Sequence, residues 1–476
     1  MKPFSQSDIE QIQSYGLTIS DIEHQLSKFE SGFAFANIIR PATENDGILQ
    51  IFAPEYEKYY TAHQDKYKIT KFVPASGAAT RMFQDLFKFL DTNIMNDTTQ
   101  HVLQNITKFA FYDDLSKTLP DNASDKTIIK HIITSSGLNY GNTPKGLITF
   151  HKYNNETRTA IAEHLVEGAQ YASTNGTVDI HFTVSPEHIN AFQEHLGQIK
   201  PEYEKRFGIT YQISISTQKP ETDTIAVTPD NTPFRTTENR LLFRPSGHGA
   251  LIKNLNEIDS EIIFIKNIDN VCCDDMRHDT IIYKRALAGF AIKTQQQIFA
   301  YQDALTHGNA DISQVRQFIE QNLGIRKFND SDILNILNRP LRVCGMVRNT
   351  GAPGGGPFWT RGPNGTETLQ IVESSQISPQ QQDILKSGTY FNSVDIICMP
   401  YDRHGNKYDL NQFIDFSTGF ISDKSQNGRP LRAMERPGLW NGAMSDWNTV
   451  FIETLGATFT PAKTVTDLIK PGHINK

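Results

Sequence analysis

At 476 residues the chain is too long for one comfortable hydrophobic core, so a large domain with additions, or two domains, is expected. Its 38% hydrophobic and 21% charged content argues against a disordered chain, and a formal net charge of −7 argues against a general nucleic-acid binder, whose phosphate contacts need a basic surface. Cys272, Cys273, Cys344 and Cys398 form no CxxC pair and no metal-ligand spacing, the polar start has no apolar leader, and no run approaches a membrane span, so a reduced, cytoplasmic setting is expected.

Residues 1–65 read as a helical N-terminal extension. "SDIE" occurs at 7–10 and again at 20–23, each a capping box ahead of apolar-periodic residues, with Gly16 and Gly32 as stops. A main α/β domain is expected over 66–400, with a polar, helix-like insertion at 91–140, and a C-terminal segment over 401–476 is expected to pack on it.

At "FVPASGAATRMF", residues 72–83, an apolar strand runs into a turn of small residues and then into a helix extending to about Leu90. Backbone N–H groups at such a junction form an anion site, and Arg81 adds a fork that can grip phosphate oxygens. A tight strand-to-helix corner with a surface arginine is the competing reading. The stretch is not a Walker loop, because no Gly-Lys-Ser/Thr follows.

Beyond 140, strands and helices alternate. "GLITFHKY" is followed by the helical "TRTAIAEHLVEGAQYA", "VDIHFTVS" by "PEHINAFQEHLGQI", and then come the strands "ITYQISIST" and "EIIFIKNID". This rhythm predicts a Rossmann-like, mostly parallel mixed sheet flanked by helices, with ligands at the carboxyl ends of the strands. "LRVCGMVRN", "ETLQIVESSQI" and "YFNSVDIICM" read as further strands, the first two flanking a Gly-Pro-rich loop that could wrap a ligand or act as a lid. "TFTPAKTVTDLI" reads as strand, turn and helix.

"SGAATRM" resembles the nucleotide-binding signature Gly-Gly-x-Gly-Thr-Arg-Leu of sugar nucleotidyltransferases, the UDP-sugar pyrophosphorylase group in particular. Gly77, Thr80 and Arg81 match, while Ser76 and Ala79 replace two glycines. Further segments follow in the family's order. "TPKGLITFHKY" supplies Pro144 and Lys145 in place of the family's Pro-Lys; Lys88 is a rival that lacks the proline. "RPSGHGALI" is similar to the Pro-x-Gly-His-Gly segment whose backbone reads the base, and Gln218 stands where the family has a base-contacting glutamine. "IVESSQI" is similar to the sugar-binding Val-Glu strand, and "FNSVDI" to the Phe-Asn strand. "TFTPAKTV" is similar to the Phe-Ser-Pro-Leu-Lys element.

The resemblance implies a glycosyltransferase-A type fold and Mg²⁺-dependent transfer of a nucleotidyl group, uridylyl above all, from a nucleoside triphosphate such as UTP to a sugar 1-phosphate. It implies catalytic roles for Arg81, Lys145 and Lys463, and nucleotide contacts from Ser76, Gly77, Ala78, Ala79, Thr80, Gln218, Gly247, His248 and Gly249. Sugar contacts fall to Glu373 and Asn392, and Mg²⁺ ligation to Asp269 and Asp395. A glycosyltransferase on the same scaffold, or a non-catalytic protein that binds UDP-sugars, are the alternatives.

Read from the residues alone, "IKNIDNV" is equally an Asx-turn closing a strand. Asp274 and Asp275 suit helix capping, and "MERPGLWNGAMSDWNTVF" suits either an aromatic contact surface or core packing. The sequence offers no Ser-His-Asp set or carboxylate pair, and the implied reaction needs none. A phosphate monoester with a second pKa of about 6 is already a dianion at neutral pH, so the work is positioning and charge neutralisation.

Overall fold

The strands are rich in β-branched and aromatic residues. The computed structural model describes residues 4–475 except 78, 352 and 353, and the fold is of the mixed α/β class. The chain divides into two compact units, each assembled from three separated stretches. The first comprises Met1–Ile51, Gln218–Glu261 and Ala291–Glu453; the second comprises Phe52–Thr217, Ile262–Phe290 and Thr454–Lys476.

In the second unit four parallel strands lie side by side in the order Ile262–Ile265, Ile69–Pro74, Thr177–Thr183, Thr210–Ser216. Registers are set by Ile262 opposite Ile69, Thr70 opposite Asp179 and Thr177 opposite Thr210. Ile262–Ile265 is buried throughout and Ile69–Pro74 up to its last residue, as near-continuous apolar runs in a parallel sheet should be. The helices Ala160–Tyr171 and Ile189–Phe207 belong to the same unit. Residues 91–140 contribute the helices Asp97–Gln104, Tyr112–Ser116 and Asp125–Ile133. Their Val102, Leu115, Ile129 and Ile133 join one core with Phe150, Phe182 and the C-terminal Ala462, Val465 and Leu468.

Charges inside this unit are paired. Glu167 accepts from Lys71 Nζ at 3.0 Å, Lys266 Nζ at 2.7 Å and the Tyr171 hydroxyl at 3.0 Å, all fully or nearly fully buried. Glu163 accepts from His151 Nδ1 at 2.8 Å and from Arg277. His151 Nε2 in turn meets His473 Nδ1 at 2.8 Å.

In the first unit Ile48–Leu49, Asn448–Glu453 and Leu341–Arg348 run parallel, and Tyr390–Met399 joins them antiparallel. A second sheet, wholly antiparallel, has the order Ile38–Pro41, Gly355–Arg361, Glu367–Glu373, Ile325–Arg326. The helices Gln6–Ser14 and Ile19–Ser31 pack Ile12, Ile22, Leu26 and Phe29 against Ile225, Val227, Leu241 and Phe243.

Several sequence expectations are corrected. The two N-terminal capping boxes use Ser5 with Asp8 and Thr18 with Asp21, about two residues before "SDIE", because these pairs close on their own backbone N–H groups. After Pro74 the chain makes a 3₁₀ turn at Ala79–Arg81, and the helix begins only at Gln84, ending at Thr92. Gly355 and Gly356 of the Gly-Pro-rich loop are paired strand residues opposite Glu373 and Val372, not a lid. "TFTPAKTVTDLI" holds no strand or α-helix: Pro461 makes an isolated bridge to Asn270, and Val465–Ile469 is a 3₁₀ helix. All four cysteines are free and buried. Among the described residues, no helix is long and apolar enough to cross a membrane.

Candidate active site

In the second unit, three neighbouring parallel strands end on one rim. Ile69–Pro74 leads into Ala75, Ser76 and Gly77. Thr177–Thr183 leads into Ser185, whose hydroxyl donates to the Ser76 carbonyl at 2.8 Å, and Ile262–Ile265 leads into Asn267, Ile268 and Asp269. A Cβ built on Gly77 meets nothing within 4 Å, so the fold itself does not demand glycine there. Ser76 is half-buried, Ala79 is buried, and Thr80 and Arg81 are exposed. Ala78 lies outside the described residues.

Asp269 is the centre of this rim. Its Oδ2 accepts from Lys145 Nζ at 3.0 Å and is 3.4 Å from Lys463 Nζ. Burial pushes the carboxyl up, but the two lysines outweigh it and hold Asp269 below the ordinary carboxylate range. Lys145 stands on the 3₁₀ turn Lys145–Leu147 after Pro144 and donates a second hydrogen bond to the Ala462 carbonyl at 3.0 Å. The backbone N–H of Ala462 donates to the Asp269 carbonyl at 3.0 Å, and Val465 N–H donates to the Met82 carbonyl at 3.1 Å. One C-terminal stretch therefore carries Lys463 to the strand end and passes beside the turn that carries Arg81. Among the described residues Arg81 forms no ion pair.

The first unit gathers a second set. His248 lies in the 3₁₀ turn Gly247–Ala250. Its Nδ1 accepts from Leu439 N–H at 2.9 Å, which places the proton on Nε2, facing Glu373 Oε1 at 3.3 Å. Trp440 stacks on the imidazole with centroids 4.0 Å apart and planes 17° apart. Burial raises the Glu373 carboxyl, but His248, Asn441 and Trp440 bring it below its usual value. Gly247 and Gly249 do not leave flat space for a base. A Cβ on Gly249 would stand 2.2 Å from the Pro437 carbonyl, and one on Gly247 2.5 Å from a Glu435 oxygen, so the chain itself fills those faces.

Gln218 is half-buried just after the strand Thr210–Ser216. Asn392 is buried and its Oδ1 accepts from Val394 N–H at 3.0 Å, bracing a register shift in which Val394 takes φ of 57°. A β-branched residue at that angle is strained, and bulges of this kind re-aim side chains. Asp395 is fully buried opposite Gly345.

A family model described as "Domain of unknown function (DUF4301)" matches residues 5–474. The chain belongs to the DUF4301 family. No curated protein matches the sequence. Among solved structures the DUF4301 chain is similar to the uridine diphosphate N-acetylglucosamine pyrophosphorylase from Trypanosoma brucei, with 11% identity and a TM-score of 0.52, covering 98% of this chain and 79% of that one. A second match is the UDP-glucose phosphorylase from Trypanosoma brucei, with 12% identity and a TM-score of 0.46, covering 97% and 77% of the two chains. At such identities the likeness is one of fold.

For a divalent cation, the DUF4301 rim offers one carboxylate whose Oδ2 is already held by two ammonium groups. No group of three or more His, Cys, Asp or Glu suited to a metal lies among the described residues. That donor set fits Mg²⁺ arriving on substrate phosphates and keeping its waters, and does not fit a resident ion caged by protein.

Sequence reasoning missed three contributors: the Ala462 carbonyl, the Gln376–Asn441 amide pair beside Glu373, and the ring of Trp440. Backbone atoms leave no signature. Trp440 belongs to the aromatic stretch noted above, where Trp447 is buried in the core and Trp440 stacks on His248. Asp274 does not cap through its side chain; it pairs with Arg158 Nη1 at 2.8 Å and with Arg277.

Proposed function

We propose that the protein transfers a nucleotidyl group, uridylyl first, from a Mg²⁺-bound nucleoside triphosphate to a sugar 1-phosphate, releasing pyrophosphate. The observation that carries this reading is the meeting of Lys145, Lys463 and Asp269 at the carboxyl ends of parallel strands, beside the small-residue turn that bears Arg81. The sugar-phosphate oxygen attacks the α-phosphorus, the bond to the β-phosphate oxygen breaks, and pyrophosphate departs with the electron pair. The nucleophile is already ionised, so no general base is called for.

In this reading the Ser76–Gly77 turn receives phosphate oxygens, with open space over Gly77. Arg81, exposed and without an ion-pair partner among the described residues, grips them in bidentate fashion. Asp269 would hold a Mg²⁺ that arrives on the triphosphate, and the ion would supply charge neutralisation there. Lys145 and Lys463, standing beside that carboxylate, would contact the phosphates, where charge develops. Within the first unit, Glu373, oriented by His248 and Asn441, is the carboxylate we assign to sugar hydroxyls.

The test is incubation with UTP, Mg²⁺ and a panel of sugar 1-phosphates, scored for pyrophosphate. Turnover in wild type and its loss in Lys145→Ala support the proposal; no turnover with any NTP and sugar 1-phosphate refutes it. The sharing of Asp269 Oδ2 by two lysines favours a second reading, a UDP-sugar binder without chemistry. Tight UDP-sugar binding that is indifferent to Asp269→Ala would select it.

A further inference from the structure

The first unit contains a cavity of about 630 Å³ that shares only Gln376 and Asn441 with the Glu373 set described above. One wall is a face of the antiparallel sheet, with Thr360, Thr368 and Gln370; the other is the short helix Ile333–Leu337, with Asn335. Gln370 and Glu373 are three residues apart in one strand and project from opposite faces, so the cavity lies on the far side of that strand from the Glu373–His248 pair.

Its chemistry is specific. The floor is the amide pair Gln376 and Asn441, 9% and 4% exposed. Gln376 is fixed on all sides: its Nε2 donates to the Thr418 carbonyl at 2.9 Å, and its Oε1 accepts from Glu373 N–H at 3.0 Å and from Asn441 Nδ2 at 3.3 Å. These bonds orient Asn441 so that its buried Oδ1 has no hydrogen-bond partner among the described residues.

The ligand's charge is constrained as well. Asp332, Asp415 and Asp446 line the cavity against Arg339 and Arg361, and Arg361 is already paired with Glu367 at 2.8 Å. The lining is therefore not electropositive and does not suit a phosphate or carboxylate. Phe35, 54% exposed, stands on the lining as an uncovered aromatic face.

We propose that this cavity binds a neutral, polyhydroxylated ligand of mono- or disaccharide size. Hydroxyl groups pair with Asn335, the threonines and Gln370 of the two walls, while an apolar ring face covers Phe35. The volume falls in the range of about 300–1,000 Å³ common to small-molecule sites. The inference does not rest on nucleotidyl transfer, and it is tested without nucleotide.

The experiment is saturation-transfer NMR on the full chain with glucose, N-acetylglucosamine and maltose as probes, and acetate and acetamide as controls. At least one saccharide gives a saturable signal. That signal weakens by about tenfold, equivalent to roughly 1.4 kcal/mol, when Asn335→Trp fills the cavity from its exposed wall. Thr366→Phe, filling the opposite wall, does the same should the tryptophan variant fail to fold. Three outcomes overturn the proposal: no saccharide signal in wild type, acetate or acetamide binding as well as the sugars, or a sugar signal abolished by Glu373→Gln but untouched by both filling variants.

Discussion

Replacing Lys145 with alanine tests whether the Asp269 cluster is a coupled unit. The ammonium is 3.0 Å from Asp269 Oδ2, and the two side chains are 15% and 9% exposed. Breaking a fully buried pair costs about 3–5 kcal/mol, and a hydrogen bond to a charged group contributes about 1.5–3 kcal/mol. Lys463 remains at 3.4 Å but is 58% exposed and screened by water, so it compensates only in part. The expected loss is about 2 kcal/mol at pH 7, read by urea unfolding, with Lys463→Ala losing clearly less. The pH dependence has a definite sign. The native carboxyl titrates below its ordinary 3.8, so its contribution is complete above that value and disappears as pH falls through the native one. In Lys145→Ala this acid-side loss shrinks. A variant as stable as wild type, or one no worse than Lys463→Ala, would show that the carboxylate does not depend on Lys145.

Three other outcomes are expected. Arg81→Ala leaves the unfolding midpoint at the wild-type value, because the side chain is exposed, but lowers pyrophosphate release about a hundredfold; equal activity would remove Arg81 from the mechanism. Gly249→Ala drives a methyl into the Pro437 carbonyl, 2.2 Å away, and destabilises the protein by about 1–3 kcal/mol or more, as thermal melts will report; an unchanged melt would mean the turn yields freely. Burial, then His151, lowers the His473 imidazole to about 3. Its folded value is depressed, so its stabilising effect is complete above the ordinary 6.5 and declines as pH falls toward 3. His473→Gln should flatten the stability profile between pH 6.5 and 5, and an identical slope in the variant would contradict this.

The parallel strands were legible from β-branched and aromatic content at short, strand-like length: "EIIFI" is apolar after its first residue, "ITKFVP" mostly so, and "VDIHFT" alternates apolar with polar residues. Lys145, Asp269 and Lys463 were each placed by short motifs, yet their meeting depends on contacts that span up to most of the chain, which no local pattern encodes. The N-terminal caps were displaced because Ser5 and Ser7, like Thr18 and Ser20, offer the same hydroxyl chemistry, and only the backbone decides between them. Small residues around His248 suggested open access; they instead admit residues 435–438, since a glycine reads alike whether a ligand or another strand of the same chain approaches it. Domain borders expected near 65 and 400 followed composition, whereas the compact units interleave stretches from across the chain, a property of the path and not of any segment.

Ala462, Val465 and Leu468 belong to the same core as Val73 and Phe83. A ribosome making this protein therefore releases the opening strands of that core long before the residues that seal it. The nascent chain must keep a partly built apolar surface waiting while the several hundred residues between Phe83 and Ala462 are made, which makes synthesis, more than the finished molecule, the stage exposed to aggregation and in need of chaperone cover.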